Sequence, residues 1–345
     1  MLERAMFDQL RIYPEEVMNI GDDVIILSEG NCYLLRELDD RRLQKISEQQ
    51  HMTEYLSYKG ERDIATFLQD DKNKIKGIHV DGKNYAVFTV HIYHHLGETV
   101  NAASLGKRLA LFHQRGIGYS EYNRDIGKNM TSWKDRWEKR LDQLEQWYMG
   151  IVREKNQKTD VDKEFCITYP YFMGICENAI QMMMDISLDD PQLFQNPYHT
   201  ICHYRFHDQT WLTLQEEITS NVKVPTDFVY DHITRDISDY MRMIWIEYEG
   251  NETAQREIIH FLTEYESVYR LTLTDQKLLF IRLLFPLHYF DHVERYYNTG
   301  ENAAIASKCM LIFQNKMEYE RLLDYLLERY PMLKNQVVLP AWINK

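Results

Sequence analysis

The chain has 345 residues, of which 44% are apolar, with 24 Tyr and 14 Phe; that is enough to bury a large core, expected in two parts, and it excludes a disordered polar chain. Acidic residues outnumber Lys and Arg by 53 to 40, a net charge of -13, and no basic tract offsets them, which excludes a general nucleic-acid binder. No apolar run is long enough to span a bilayer, and Met1 to Asp8 is charged too early for a secretory signal, so synthesis in the cytosol is expected.

In chain order, Val24-Ile25-Ile26-Leu27 and Cys32-Tyr33-Leu34-Leu35 flank Ser28-Glu29-Gly30-Asn31. That pattern predicts a hairpin whose turn uses Gly and Asn. Asp39 to Leu56 places Leu43, Ile46, Met52 and Leu56 at helical spacing. A second hairpin is expected from Ile75 to Val90 around Asp81-Gly82, the strongest short hairpin signal of the chain. His91 to Thr99, with His91, His94 and His95, reads as a connector.

From about residue 100 the texture becomes helical. Ala102, Leu105, Leu109 and Phe112 share one face, and Gly116 and Gly118 end that helix. Trp133, Trp137, Leu141, Leu144, Tyr148 and Ile151 continue as a long amphipathic segment. Glu154 to Lys163 is a polar loop, and Tyr171 to Ile186 a Met-rich helix. Residues 198–230 revert to short strands and loops. Helices follow at Asp236–Glu247, Thr253–Arg270, Asp275–Phe285, His288–Tyr297 and Glu301–Arg329. Strands first and helices after indicate an α+β chain, with a strand-rich region over 1–98 and a helical one over 99–345. The five cysteines, Cys32, Cys166, Cys176, Cys202 and Cys309, form no CxxC pair and are expected to be reduced, mostly buried thiols.

The most telling stretch is His203-Tyr204-Arg205-Phe206-His207-Asp208-Gln209-Thr210-Trp211-Leu212, followed by Asp227-Phe228 and Asp236-Ile237. It resembles the catalytic loop, metal Asp and helix-opening Asp of the aminoglycoside phosphotransferase and choline kinase branch of the protein-kinase-like fold. Leu27 to Arg36 resembles the strand-turn-strand that ends in the nucleotide Lys. Leu105-Gly106-Lys107-Arg108-Leu109-Ala110-Leu111-Phe112-His113 resembles the helix that opens the large lobe, and Trp133 to Trp147 a long helix of coat proteins. More narrowly, the chain resembles the CotS-like spore coat proteins of endospore-forming bacteria, in their YutH type. The resemblance implies a two-lobe fold, with a small antiparallel-sheet N-lobe and a large helical C-lobe. It also implies synthesis in the mother cell, residence in the spore coat and other coat proteins as partners.

Phosphoryl transfer needs a carboxylate to orient the attacking hydroxyl, a Lys on the phosphates, and Asn plus Asp on magnesium. Set on that template, Arg36 replaces the Lys, and Arg does not match Lys in shape or geometry. Arg205 stands at the base, where a permanently charged guanidinium accepts no proton. Thr210 replaces the Asn. Shifting the register makes Asp208 a fallback base but leaves Thr213 where the Asn falls due. Asp227 alone survives as a magnesium ligand, unless it merely caps a turn. Arg36 and Asp227 then mark a vestigial nucleotide and magnesium site; ATP and magnesium would matter only if that binding persists.

Three plainer expectations accompany this. Asp236 caps the next helix, and His203 bonds within the loop core. His199, His203 and His207 recur every four residues, but Pro197 and the β-rich residues around them argue against a helix that could gather them on zinc, so no metal site is expected. Trp133, Trp137 and Trp147, like Met182-Met183-Met184, are core before they are a binding wall. The sequence therefore predicts a structural or interaction protein on a catalytically degenerate kinase-like fold. The alternatives are an atypical kinase using Asp208 and Asp227, and a nucleotide-sensing module without turnover.

Overall fold

A computed structural model describes residues 1–91, 101–122, 133–189, 199–215, 218–299 and 302–337. Its elements are α1 (Leu2–Ala5), a π-turn over Met6–Leu10, β1 (Glu16–Ile20), β2 (Asp23–Ser28), β3 (Asn31–Leu38), α2 (Asp40–Tyr58), β4 (Thr66–Phe67), β5 (Gly77–Val80) and β6 (Lys83–Val90). Then come α3 (Ala102–Gly116), α4 (Tyr119–Tyr122), α5 (Trp133–Glu154), α6 (Asp160–Asp189), β7 (His199–His203), β8 (Leu212–Gln215), β9 (Ile218–Val222) and β10 (Phe228–His232). The chain ends in α7 (Thr234–Glu247), α8 (Glu252–Val268), α9 (Leu273–Leu284), α10 (Leu287–Thr299), α11 (Ala303–Gln314) and α12 (Lys316–Arg329). A small antiparallel sheet near the N-terminus and a mainly helical remainder are what the sequence predicts.

The described residues divide into two compact units. One takes Met1–Arg124, His199–His232 and Phe261–Tyr269; the other takes Asp125–Tyr198, Ile233–His260 and Arg270–Lys345.

In the first unit, six strands form one sheet in the order β1-β2-β3-β6-β4, with β5 also on β6. Both predicted hairpins are present. Their turn residues are Glu29-Gly30 and Asp81-Gly82, all four left-handed, as a two-residue turn between twisted strands requires. Asn31 is not in the turn, as the sequence suggests, but already pairs with Ser28. β5 lies at a sheet edge, and the Gln9 side chain covers it: Gln9 Nε2 donates to the His79 carbonyl at 2.9 Å, and Gln9 Oε1 accepts from His79 N at 3.1 Å. One face of the sheet packs on Ala5 and Met6 through Ile26, Leu35, Ile78 and Val87. The other gathers Ile25, Leu34, Phe67, Phe88 and Val224. Asp39 caps α2 by accepting from Arg42 N at 2.7 Å. α3 runs against the end of α8, where a Cβ on Gly106 would meet the Phe261 carbonyl, and His113 Nδ1 lies 2.8 Å from Tyr265 Oη.

The second unit is helical and rich in packed rings. Tyr148 of α5 stacks on Tyr169 of α6 at 4.0 Å, Phe172 on Tyr289 of α10 at 3.7 Å, and Trp137 on Phe285 at 4.4 Å. Trp133 and Trp137 are buried, as is Met183, so these residues are core. Three boundaries differ from the sequence reading. The Met-rich helix starts at Asp160, not Tyr171, and runs through Pro170. Where the sequence suggests one helix there are two, Ala303–Gln314 and Lys316–Arg329, which meet at Asn315. Asp236 lies inside the first turn of α7, fully buried, with Ile233 at the cap position. Among the described residues, no helix is long and apolar enough to cross a membrane.

Candidate functional site

The first unit brings Arg36, Arg205, Thr210 and Asp227 to one cavity of about 790 Å³. β2 and β3 supply one side of it. Because their turn has two residues, Val24 faces Leu35, and the next pair along is Asp23 and Arg36. The Asp23 carboxylate grips the Arg36 guanidinium with both oxygens, Oδ1 to Nε at 2.7 Å and Oδ2 to Nη2 at 2.6 Å. The other side comes from the short 3-10 turn Pro225–Asp227 that enters β10. There Nη1 of Arg36 donates to Asp227 Oδ2 at 2.5 Å and to Thr226 Oγ1 at 3.3 Å. All three charged side chains are nearly sealed, with exposures of 12% for Arg36, 4% for Asp23 and 17% for Asp227. Burial alone would lower the Arg36 pKa, but the Asp23 hydrogen bond and the Asp227 charge outweigh it and push the pKa up, so the guanidinium stays charged.

Asp227 is therefore engaged through its side chain, not spent on capping a turn. Its backbone carbonyl accepts from Tyr204 N at 2.6 Å, which ties the loop after β7 to the same turn. α2 is fastened there as well: buried Gln49 donates from Nε2 to the Thr226 carbonyl at 2.9 Å.

The loop after β7 is closed by Thr210. Its hydroxyl accepts from His207 N at 2.8 Å and donates to the Arg205 carbonyl at 3.2 Å. With the hydroxyl used on the loop's own backbone, Thr210 serves as a clasp. His203 is buried, and its Nε2 accepts from Trp211 Nε1 at 2.9 Å. Trp211 in turn lies under the Lys223 ammonium, 4.4 Å from the ring centre. Lys223 is itself buried and pairs with Glu61 at 3.3 Å, while Arg115 reaches Glu61 at 2.6 Å. The three spaced histidines go to different surroundings. His199 lies beside Tyr230 and His232, His203 meets Trp211, and His207 Nδ1 accepts from Gln209 N. His94 and His95 fall outside the described residues.

Asp208, the fallback base, is not part of the cavity lining. Its carboxylate is 47% exposed and lies 3.8 Å from His207 Nδ1. The neighbouring His207 ring holds its pKa below the usual range, which makes it a weaker proton acceptor. Among the described residues, the cavity wall carries five carboxylates (Asp22, Asp23, Glu37, Asp39, Asp227) against three guanidiniums (Arg36, Arg42, Arg205), and no lysine. Asp39 is used in part on the α2 cap, and Arg36 is held by two carboxylates. A polyphosphate would meet no surplus of cations here. Asp23 and Gln49 are the residues that sequence reasoning missed. The hairpin register could have found Asp23, since a two-residue turn at Glu29-Gly30 puts residue 23 opposite residue 36. Nothing local marks Gln49.

Comparison with known proteins identifies the family and the fold. Residues 3–326 match the family described as "Spore coat putative kinase YutH". A relative from Bacillus subtilis (strain 168), the endospore coat-associated protein YutH, is 32% identical over 306 residues, covering 87% of this chain and 86% of its own. Solved structures with the same fold include an aminoglycoside phosphotransferase from Alicyclobacillus acidocaldarius. It is 12% identical, with a TM-score of 0.69, over 93% of this chain and 95% of that one. Spectinomycin phosphotransferase, solved with ADP and spectinomycin, is also 12% identical, with a TM-score of 0.59, over 94% and 96%. At that identity these enzymes share the fold alone. The chain thus has an aminoglycoside phosphotransferase-like fold and belongs to the YutH family of spore coat kinase-like proteins.

Proposed function

We propose that the chain acts in the endospore coat as a structural or interaction protein, and that its kinase-like cavity transfers no phosphate. The supporting observation is the Arg36 clamp. The residue at the phosphate-binding position and the aspartate at the magnesium position are bonded to each other, so each occupies the group the other would offer to a nucleotide complex. Phosphoryl transfer depends on a metal that bridges protein and phosphate oxygens, and this pairing leaves it no free carboxylate among the template positions. Arg205 at the base position accepts no proton. Other coat proteins are the partners this reading requires; ATP and magnesium are not.

The rival reading is an atypical kinase, and the cavity volume of about 790 Å³ favours it, being within the range of small-molecule sites. The deciding experiment is a thermal-shift titration with ATP and magnesium, alongside incubation with radiolabelled ATP and coat extract. No shift and no label on any acceptor are expected. A shift lost in Asp227→Ala, together with label transfer, overturns the proposal.

A further inference from the structure

The geometry points to Arg36 as a built-in substitute for a divalent cation: its guanidinium sits between Asp23 and Asp227 and holds them together without metal or nucleotide. The inference rests on the silent-cavity reading and adds how the cavity keeps its shape. Asp23 and Asp227 lie on β2 and on the turn before β10, 204 positions apart in the chain, and both carboxylates face a single cation. An Arg on a two-stranded ribbon needs only its cross-strand partner to be satisfied. Here four separate contacts converge on it, two to Asp23, one to Asp227 and one to Thr226. The planar fork suits this task, because Nε and Nη2 take one carboxylate edge-on while Nη1 is left to reach a second. The backbone around Asp227 is built to hold that arrangement. Gln49 fixes Thr226, and the Asp227 carbonyl is bonded to Tyr204.

Two carboxylates brought to one point without the guanidinium would repel each other, and a hard divalent ion with oxygen ligands is the simplest species to replace it. Shortening Arg36 should therefore convert the clamp into a cation site. The test uses the full-length protein and manganese(II) alone as the probe, followed by electron paramagnetic resonance and thermal unfolding. Wild type is expected to bind no manganese at this point. Arg36→Ala is expected to gain the manganese binding that wild type lacks, to rise in melting temperature on addition of the ion, and to lose both effects in Arg36→Ala/Asp227→Asn. If Arg36→Ala does not fold alone, folding in the presence of manganese supports the inference, and failure of the ion to restore folding overturns it. A folded Arg36→Ala that ignores manganese overturns it too, as does wild type that binds the ion through Asp23 and Asp227. Label transfer from ATP by wild type would instead sink the silent-cavity reading, so the two failures are distinguishable.

Discussion

Removing the clamp's carboxylates one at a time should separate a structural ion triad from a resting active site. In Asp23→Ala the Arg36 guanidinium, 12% exposed, loses its bidentate partner and keeps only Asp227 and Thr226. Breaking a buried pair in this way costs about 3–5 kcal/mol. Asp227→Ala removes one charge-assisted bond and leaves the Asp23 fork intact, which should cost about 1.5–3 kcal/mol, towards the low end because Asp227 is the more exposed acid at 17%. In an Arg36→Met background the order should invert. Each aspartate is then a carboxylate without its cation, so replacing it by Ala becomes neutral or stabilising. Urea unfolding of the wild type, the three single variants and the two doubles gives these values as a double-mutant cycle, with coupling of about 1.5 kcal/mol or more on each arm. A carboxylate kept for chemistry at the expense of stability behaves the other way. An Asp227→Ala protein more stable than wild type, with Arg36 present, would refute the reasoning.

Gly106→Ala should destabilise although Ala is the better helix former by about 1 kcal/mol. Its Cβ would overlap the Phe261 carbonyl oxygen and lie 2.9 Å from the carbonyl carbon, so the α3–α8 contact must open at a net cost of about 1–3 kcal/mol by urea unfolding. Burial works to raise the Glu61 pKa, but Lys223 and Arg115 outweigh it and hold it below 4.5. Its contribution is thus complete above the unfolded value and lost as pH falls through the folded one. Glu61→Gln should accordingly flatten the acid side of the stability profile below about pH 5, and an unchanged profile would count against this role. Trp211→Phe keeps a ring under Lys223 but takes the indole donor from His203, for a loss of about 1 kcal/mol. Asp208→Ala, on an exposed site outside the cavity, should change stability by less than about 0.5 kcal/mol.

Local signals carried much of this fold. Glu29-Gly30 and Asp81-Gly82 specify their turns because left-handed backbone at both central positions suits few residues, and the α2 start is readable from Asp39 as its cap. The early start of α6 escapes a local reading because Pro170 lies inside it, where proline loses a helical bond and crowds the preceding turn; Phe165, Tyr169 and Phe172, before and after it in the chain, are all buried. Asn315 breaks a pattern that stays amphipathic on both sides, so periodicity alone runs α11 into α12. At the site, the substitutions Arg36, Arg205 and Thr210 were readable as departures from a template. The bonds they make were not. The Thr210 clasp depends on loop backbone geometry, and the Arg36–Asp227 bond joins residues 191 positions apart.

The Gln9 amide on strand β5 has a bearing on life at high protein concentration. Bare strand edges recruit other strands, and natural sheets guard against uncontrolled association with charges, bulges or covers. Here one side chain mimics a neighbouring peptide unit, using both outward groups of His79. In a crowded shell of proteins, that single residue closes a route to unplanned stacking and leaves assembly to surfaces chosen for it.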